Sequence, residues 1–277
     1  SGNDYDLSLK FHDSMNLMGF AMPGFYIADS TSFHADISKA GILDAGLKSS
    51  RIAFREQYLK NLSMNISNRD DKLSGELSCK EIKAASVSLK DNSLQILADD
   101  NHLGAGYKYD NHDELVNKGE FVAVGDLHRT DDQLVNLGIN ILPSMLHLNS
   151  KEWNILPSEL HLCDGELDVR SMEIQSGEQK IRIGGRTSKT QKDTLTLNLD
   201  RFDISMLNNL LKTDLKVRGA VTGEVQLTSP MDSKGLLADI ICDSTHIADV
   251  PLGTLTVGSS WDDEFERFNI ALRNDLD

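Results

Sequence analysis

Apolar and polar residues alternate at every second position over most of the chain, and this pattern constrains the fold more than any other feature. Clear examples are Leu73-x-Gly75-x-Leu77-x-Cys79, Leu195-x-Leu197-x-Leu199 and Leu255-x-Val257-x-Ser259-x-Trp261. The intervening positions are mostly Ser, Thr, Lys, Asp, Asn and Arg. Because successive side chains of a β-strand point to opposite faces, each run predicts a strand with one apolar and one solvated face.

Polar clusters that favour turns separate these runs. They are Asn68-Arg69-Asp70-Asp71, Lys90-Asp91-Asn92, Asp164-Gly165, Gln175-Ser176-Gly177-Glu178 and Lys189-Thr190-Gln191-Lys192-Asp193. The runs between them are too close together for helical crossovers, so the spacing favours hairpins over βαβ units. The sequence therefore predicts an all-β, mostly antiparallel fold.

Two segments have a helical pattern instead. Residues 203–212 place Ile204, Leu207, Leu210 and Leu211 on one face, with Asp203 or Ser205 as the N-cap. Residues 131–142 place Leu134, Leu137 and Ile141 at helical spacing and stop at Pro143, although a strand could contain the same residues. We therefore expect one or two short helices.

A short internal repeat supports regular stacking of strands. Ile141-Leu-Pro-Ser-Met-Leu-His-Leu148 recurs as Ile155-Leu-Pro-Ser-Glu-Leu-His-Leu162, which predicts two strands that each begin at a Pro-Ser corner. His147 and His161 occupy the same face of the two copies. They could bind a common metal only if the two strands were neighbours. Because no third ligand has a fixed spacing to them, two solvated histidines are the favoured interpretation.

Charge and composition exclude several classes of partner. The chain has 28 Lys and Arg against 43 Asp and Glu, a net charge of −15, so phosphate is repelled and a nucleic-acid partner is not expected. The same sign disfavours docking on anionic lipid headgroups. With 39% apolar residues the chain can nevertheless bury a core.

No segment predicts a membrane-spanning helix or a signal peptide. Ser1-Gly2 resembles a cloning remnant, so we expect a piece of a longer protein. The three cysteines, Cys79, Cys163 and Cys242, are widely spaced and indicate neither a zinc site nor a disulfide framework.

The sequence has no recognisable catalytic motif, and no enzyme, cofactor or metal is expected. Two acidic clusters could in principle hold a hard cation: Asp110-x-His112-Asp113-Glu114 and Asp262-Asp263-Glu264-x-Glu266. Neither follows a calcium-loop pattern, so solvated turns are the favoured interpretation.

Amphipathic strands continue for over 200 residues without a linker. We divide the chain into a first β-rich segment, 3–130, and a second one continuous with it, 131–277. Two sandwiches in series, or one long curved sheet with an apolar concave side, would both fit this pattern.

The order of motifs from Leu195 onward resembles the TamB-like (translocation and assembly module) proteins of Gram-negative envelopes. Strand 195–205 is followed by a short helix and by Leu-Lys-Val-Arg-Gly-Ala-Val-Thr-Gly-Glu-Val-Gln-Leu (215–227). Ile247-Ala-Asp-Val-Pro-Leu-Gly-Thr-Leu (247–255) and Gly258-Ser-Ser-Trp-Asp262 follow, and a strand with Phe268-x-Ile270 comes last. The resemblance covers about residues 145–277, and 1–144 only in pattern.

This resemblance implies a long sheet folded lengthwise into an open apolar groove, the β-taco shared with AsmA-like and bridge-like lipid-transfer proteins. The parent protein would be anchored in the inner membrane and extend through the periplasm towards an outer-membrane barrel assembly factor. Its roles would be phospholipid transport between membranes and outer-membrane biogenesis. The residues expected to line the groove and contact phospholipid acyl chains are Leu160, Leu162, Leu167, Val169, Ile181, Ile183, Leu195, Leu197, Leu199, Val217, Val221, Val225, Leu227, Leu255, Val257, Ile270 and Leu272.

Two other functions remain open. Exposed strand edges could pair with a client strand by β-augmentation, which would make the chain a scaffold for outer-membrane protein assembly. A glycan-binding β-protein is the third, although such a site needs several convergent aromatic groups.

Four glycines in the apolar phase, Gly75, Gly125, Gly185 and Gly219, predict places where the sheet bends or backbones approach closely. We expect Gly125 and Gly219 above all to lie where the sheet curves or where the two walls of the groove come closest.

Overall fold

The computed structural model describes residues 4–12, 22–69, 72–84, 87–129, 135–187, 193–209, 216–228, 236–262 and 267–275. These residues form twenty strands that belong to one large antiparallel sheet, together with one short 3₁₀ helix. The predicted all-β, antiparallel class is confirmed. The expected short α-helices and the lengthwise folded groove are not.

The first ten strands are β1 Tyr5–Lys10, β2 Phe25–Ile27, β3 Ser32–Ile37, β4 Leu43–Phe54, β5 Gln57–Ser67, β6 Lys72–Ala84, β7 Val87–Asp99, β8 His102–Asp110, β9 Lys118–Arg129 and β10 Val135–Ile141. The last ten are β11 Ser144–Leu148, β12 Lys151–Ile155, β13 Ser158–Cys163, β14 Glu166–Ser176, β15 Gln179–Arg186, β16 Thr194–Asp203, β17 Val217–Thr228, β18 Leu236–Ile247, β19 Val250–Asp262 and β20 Arg267–Asp275.

The chain divides into two compact units. The first consists of residues 1–124 and 146–150, and the second of residues 125–145 and 151–277. In the first unit β1 pairs with β3, and both β2 and β3 pair with β4. From β4 to β8 each strand pairs with the next along the chain, as expected for successive hairpins.

In the second unit β10 pairs with β13 and β12 pairs with β14. From β13 to β20 every strand pairs antiparallel with its successor in the chain. The predicted turns at Asp164-Gly165 and at Gly177 connect β13 to β14 and β14 to β15. The turn predicted at 189–193 lies almost wholly outside the described residues.

The helix predicted over 131–142 is wrong for its described part, because β10 occupies residues 135–141. The alternation Leu137-x-Ile139-x-Ile141 faces Leu162, Leu160 and Ser158 of β13 across the ladder. Leu137 and Ile141, four residues apart, also fit the helical spacing, and the pairing with β13 decides between a helix and a strand.

Within the helix predicted over 203–212 the structure has a 3₁₀ helix, Ile204–Asn209. Residues 210–215 lie outside the described part of the chain. Asp203 caps it, since the Ser205 amide donates to Asp203 Oδ1 at 3.0 Å. The Asn208 side chain exchanges two hydrogen bonds with the main chain of Val217, which ties this helix to the start of β17.

The turn predicted at Lys90-Asp91-Asn92 is also wrong, because these residues lie inside β7. In the ladders that join β4, β5, β6 and β7, one residue of each strand is left unpaired. These residues lie side by side as a row: Ser50, Asn61, Lys80 and Asp91. Asn61 and Asp91 have positive φ values of 49° and 47°. The apolar pattern of each strand resumes three residues later while the register stays the same on both sides of the row, so the row is an aligned interruption of four neighbouring strands.

The repeated Pro-Ser corners do begin strands, at Ser144 of β11 and Ser158 of β13. The division between the compact units passes through β11, so that His147 belongs to the first unit, whereas His161 of β13 belongs to the second.

Candidate functional site

The pairing register brings the predicted groove-lining residues onto one face of the second unit. Residues directly opposite each other in an antiparallel ladder share a face. One row across β13 to β17 contains Leu160, Val169, Gly185, Leu195 and Leu227. A second, across β15 to β20, contains Ile181, Leu199, Gly223, Ile240, Val257 and Leu272.

The remaining predicted residues join the same rows. Ile183, Leu197 and Val225 form an intermediate row with Met172 and Ala238. Val221 lies between Phe202 and Cys242, which in turn faces Leu255. Leu162 faces Leu167, Val217 faces Ile247, and Ile270 faces Ser259. We call the face formed by these rows the apolar face of the second unit.

No charged side chain occurs in these rows, although 26% of the chain is charged. Of the seventeen predicted residues only Val169 and Val221 are buried, whereas Leu162, Ile270 and Leu272 are exposed and the other twelve are half-buried. A conventional core would bury most of them. The face is therefore apolar but still accessible.

Sequence reasoning missed several members of this face. They are Leu137, Ile139, Ile141, Met172, Ile174, Phe202, Ala238, Ile240 and Cys242. The alternation Leu137-x-Ile139-x-Ile141 of β10 is present in the sequence, but Leu137 and Ile141 also fit the predicted helix. The ladder between β16 and β17 shifts register after Leu199. Phe202 therefore lies on the apolar face although it is out of phase with the alternation of Leu195, Leu197 and Leu199.

Glycines occur where the backbones of this face are closest. A Cβ on Gly185 would lie 2.1 Å from the Thr194 carbonyl oxygen, and one on Gly219 would lie 2.6 Å from Cys242 Sγ. The ladder between β17 and β18 shifts register at Gly219, whose φ is +151°. A Cβ on Gly125 would lie 2.7 Å from the Gly138 carbonyl oxygen. Gly125 and Gly219 thus lie at close contacts between neighbouring strands, whereas Gly75 has room for a methyl group. That they mark a curve of the sheet or the closest approach of two groove walls stays a prediction.

The first unit has a comparable apolar face. One row across β3 to β8 contains Phe33, Leu47, Met64, Leu77, Leu94 and Tyr107, and a second contains Ala35, Ala45, Ile66, Gly75, Ile96 and Ala105. Neither row contains a charged residue. The register therefore gives the first unit uncharged rows of the same kind as those of the second.

Buried polar groups in the first unit lie beside the row of Ser50, Asn61, Lys80 and Asp91. Ser49 Oγ donates to the Arg51 carbonyl oxygen at 3.1 Å, and Cys79 Sγ to those of Lys60 and Glu81 at 3.3 Å. The Asn92 amide donates to the carbonyl oxygens of Cys79 and Leu89. These side chains satisfy main-chain groups that the interrupted ladders leave without partners. Burial also raises the pKa of the Cys79 thiol.

The opposite face of the second unit carries cross-strand ion pairs. Arg182 Nε lies 3.1 Å from Glu173 Oε2, directly across the ladder, and Arg170 lies 2.7 Å from Glu159. His161 Nε2 is 3.0 Å from the same Glu159 oxygen, and this hydrogen bond, with help from Arg170, lowers the pKa of Glu159. The charges of this unit are therefore segregated from its apolar face.

A charge network also surrounds the acidic cluster at 110–114. Lys90 Nζ lies 2.9 Å from Asp113 Oδ1, and the hydrogen bond from Lys90 lowers the pKa of Asp113. His112 lies 2.8 Å from Asp91 Oδ2, whose other oxygen is 2.6 Å from Lys80 Nζ. The carboxylates of Asp91 and Asp113 thus already bind cationic side chains.

The other predicted candidates add no site. In the part of the chain that the structure describes, no three His, Cys, Asp or Glu side chains converge as metal ligands. Residues 263–266 of the second acidic cluster lie outside that part. Trp153 is 1% exposed and packs against Phe202 with ring centroids 6.1 Å apart. Among the described residues no helix is both long and apolar enough to cross a bilayer.

Comparison of the chain with protein-family models, with curated proteins and with solved structures found no match.

Proposed function

We propose that the apolar face of the second unit binds the acyl chains of phospholipids during lipid transport. The observation that carries this proposal is an uncharged face that crosses β13 to β20 and stays accessible over most of its residues. Acyl chains need continuous apolar contact, at about 0.8 kcal/mol for each methylene group removed from water. They need no polar group of fixed geometry.

An apolar face of this length that is exposed to water has an unfavourable solvation free energy unless a ligand covers it. Soluble monomers accordingly rarely expose contiguous apolar patches of more than a few hundred Å². The charge distribution favours an uncharged occupant. The apolar face carries no cation to bind a phosphate, and the net charge of −15 repels anionic headgroups. We therefore expect the acyl chains to lie on the face and the headgroups to remain in water.

The TamB-like motif order supports the same assignment. On this proposal the chain is a periplasmic part of an inner-membrane-anchored protein of the AsmA-like, bridge-like class, its sheet is folded lengthwise into a groove, and it contributes to outer-membrane biogenesis. The accessible apolar rows are what such a groove requires. The rows of the first unit are equally free of charge, so its apolar face would bind acyl chains in the same way.

A glycan site is less well supported by the side chains, because such sites need accessible aromatic groups. Trp153 is fully buried, and Tyr109 is buried as well.

Native mass spectrometry of the purified chain, after incubation with vesicles of phosphatidylethanolamine and phosphatidylglycerol, tests the proposal. We expect phospholipid adducts on the wild-type chain. The double variant Leu197→Asn, Val225→Asn places two amides directly opposite each other on the apolar face and should lose most of the adducts.

The matched control is Asn198→Ala, Glu224→Ala, which changes the neighbouring opposed pair on the other face of the same two strands. It should retain the adducts. No adduct on the wild type, or equal loss in both double variants, would refute lipid binding at this face.

A further inference from the structure

Two hairpins of the first unit turn at the same edge of the sheet. The ladder of β4 with β5 closes at the pair Phe54–Gln57, and that of β6 with β7 closes at Ala84–Val87. Because β5 and β6 pair up to these ends, the two turns lie side by side. We call these ends the hairpin edge of the first unit and define it by residues 51–60, 81–84 and 87–90.

Charge is distributed unevenly along these four strands. The hairpin edge contains five lysines and arginines and two glutamates. The segments that contain the other ends of the strands, 43–50, 65–76 and 95–102, have three lysines and arginines against six aspartates and glutamates. The first unit thus has a basic edge although the net charge of the whole chain is −15.

Most cations of the hairpin edge lack a carboxylate partner. Four of the five form no ion pair with a carboxylate of the described residues: Arg51, Arg55, Lys60 and Lys83. Only Lys90 is paired, at 2.9 Å from Asp113. The carboxylate of Glu81 instead accepts hydrogen bonds from the hydroxyls of Tyr58 and Ser88, at 2.7 and 2.9 Å.

The ring of Tyr58 holds two of the unpaired cations together. Arg51 Cζ lies 4.6 Å and Lys83 Nζ 5.8 Å from the ring centroid, both within the range of a cation–π contact. Lys60 lies directly opposite Arg51 in the ladder, so it shares their face of the sheet. One face of the hairpin edge therefore presents a cluster of cations in fixed positions.

The other face of the hairpin edge is apolar. Phe54 and Val87 are 43% and 40% exposed, and they share a face with the row of Ile52, Leu59, Ile82 and Leu89. Apolar exposure alone does not distinguish this edge, because Leu73 and Leu97 near the other ends of the strands are 40% and 65% exposed. What distinguishes it is the combination of exposed apolar side chains with unpaired cations.

We propose that the hairpin edge docks on a membrane surface that contains anionic phospholipids. Its cations approach the headgroup phosphates, while Phe54 and Val87 reach the boundary between headgroups and acyl chains. A lipid surface needs no shaped cavity, which suits cations and apolar side chains spread over the ends of two hairpins. This docking is separate from the binding of acyl chains by the apolar face of the second unit and does not depend on it.

The net charge of the chain does not prevent this contact. In physiological salt, charges separated by more than about 8 Å are largely screened. β4 has 12 residues, which extend over about 40 Å in a strand. The acidic segments at the far ends of these strands are therefore screened from a membrane at the hairpin edge, whereas the unpaired cations are in contact with it.

Sedimentation with vesicles tests the proposal, with vesicles of phosphatidylcholine alone and of equal parts phosphatidylcholine and phosphatidylglycerol. The wild-type chain should bind the mixed vesicles more tightly, and salt at about 0.5 M should release it. The triple variant Arg51→Gln, Lys60→Gln, Lys83→Gln should partition into the mixed vesicles roughly a hundredfold less, because each lysine or arginine near an anionic surface contributes about a factor of five.

The matched control is Lys48→Gln, Lys72→Gln, Lys108→Gln, which removes the same charge at exposed positions outside the hairpin edge. It should bind as the wild type does. Lys60→Glu guards against misfolding of the first triple variant, because Lys60 is exposed and its side chain forms no ion pair with the described residues. This single inversion should lower the partition by more than about tenfold.

Equal binding to both kinds of vesicle, or equal loss in the two triple variants, would overturn the proposal. Binding to immobilised polyglutamate without binding to the mixed vesicles would make the partner an acidic polypeptide and would overturn it as well. So would self-association without vesicles that only the Arg51, Lys60, Lys83 variant loses, since it would assign the edge to a second copy. Phospholipid adducts in native mass spectra should persist in that variant, which separates this docking from acyl-chain binding.

Discussion

Gly219 shows how a single residue sets the local geometry of the apolar face. Its φ of +151° disfavours any L side chain, and the position where a Cβ would lie is 2.6 Å from Cys242 Sγ and 3.0 Å from the Asp243 carbonyl oxygen. Both atoms belong to β18, so the constraint is a close approach of neighbouring strands at a register shift.

We predict that Gly219→Ala destabilises the fold by about 1–3 kcal/mol, because it combines backbone strain with a steric clash. The matched change is Gly75→Ala. A Cβ there would lie 3.7 Å from Ile96 Cβ, an ordinary contact, and Gly75 has no positive φ. Urea denaturation of both variants measures the free energy of unfolding. Equal effects at the two glycines would contradict the strained geometry at Gly219.

Asp113 has a lowered pKa, mainly because it accepts a hydrogen bond from Lys90. A carboxyl group whose pKa is lower in the folded state than in the unfolded chain stabilises the fold above its unfolded pKa, about 3.9 for Asp, and loses that contribution as the pH falls through its folded pKa. Asp113→Asn should therefore lower the thermal midpoint at pH 7, and the difference from wild type should shrink as the pH falls below about 3.9 and disappear below the folded pKa of Asp113. Comparing the variant with wild type at each pH cancels the effect of the other carboxylates. A difference that is constant with pH would contradict the ion pair.

The row of Ser50, Asn61, Lys80 and Asp91 explains why the turn predicted at Lys90-Asp91-Asn92 is wrong. Asn and Asp favour turns because they tolerate positive φ, and here they have positive φ in the middle of paired strands. The sequence Lys90-Asp91-Asn92 cannot distinguish a hairpin turn from a local interruption inside a strand. Only the pairing of β7 with both β6 and β8 does so.

Asn61→Val tests this row. A β-branched residue at φ 49° should destabilise the fold by about 1–2 kcal/mol, whereas Asn61→Gly should be tolerated because glycine adopts this conformation freely. Thermal unfolding followed by circular dichroism distinguishes the two outcomes. If valine and glycine behave alike, Asn61 does not need its positive φ.

Period-two alternation predicted most strands well, including Leu195-x-Leu197-x-Leu199 and Val225-x-Leu227, which lie opposite each other in β16 and β17. It could not predict β10, since Leu137 and Ile141 fit both periods. It also missed Phe202, which a register shift moves out of phase. The local alternation predicts on which face of the sheet a side chain lies. A bulge moves the following side chains to the other face, and whether a bulge forms depends on the neighbouring strand.

For the whole molecule, one large antiparallel sheet contains two units whose apolar faces carry no charge in their central rows. The buried apolar side chains of the described residues are few, among them Leu62 and Cys79 in the first unit and Trp153 and Ile155 in the second. A chain with 39% apolar residues thus keeps many of them accessible on a sheet face. Acyl chains on that face would remove them from water.

Photo-crosslinking in cells from two adjacent positions of β16 tests this account most directly. Leu197 lies on the apolar face and Asn198 on the opposite one, and both are half-buried, so accessibility alone does not distinguish them. We predict phospholipid adducts when a photoreactive amino acid replaces Leu197 and at most trace adducts when it replaces Asn198. Equal adduct yields at the two positions, or none at Leu197, would contradict the proposal that this face binds lipid.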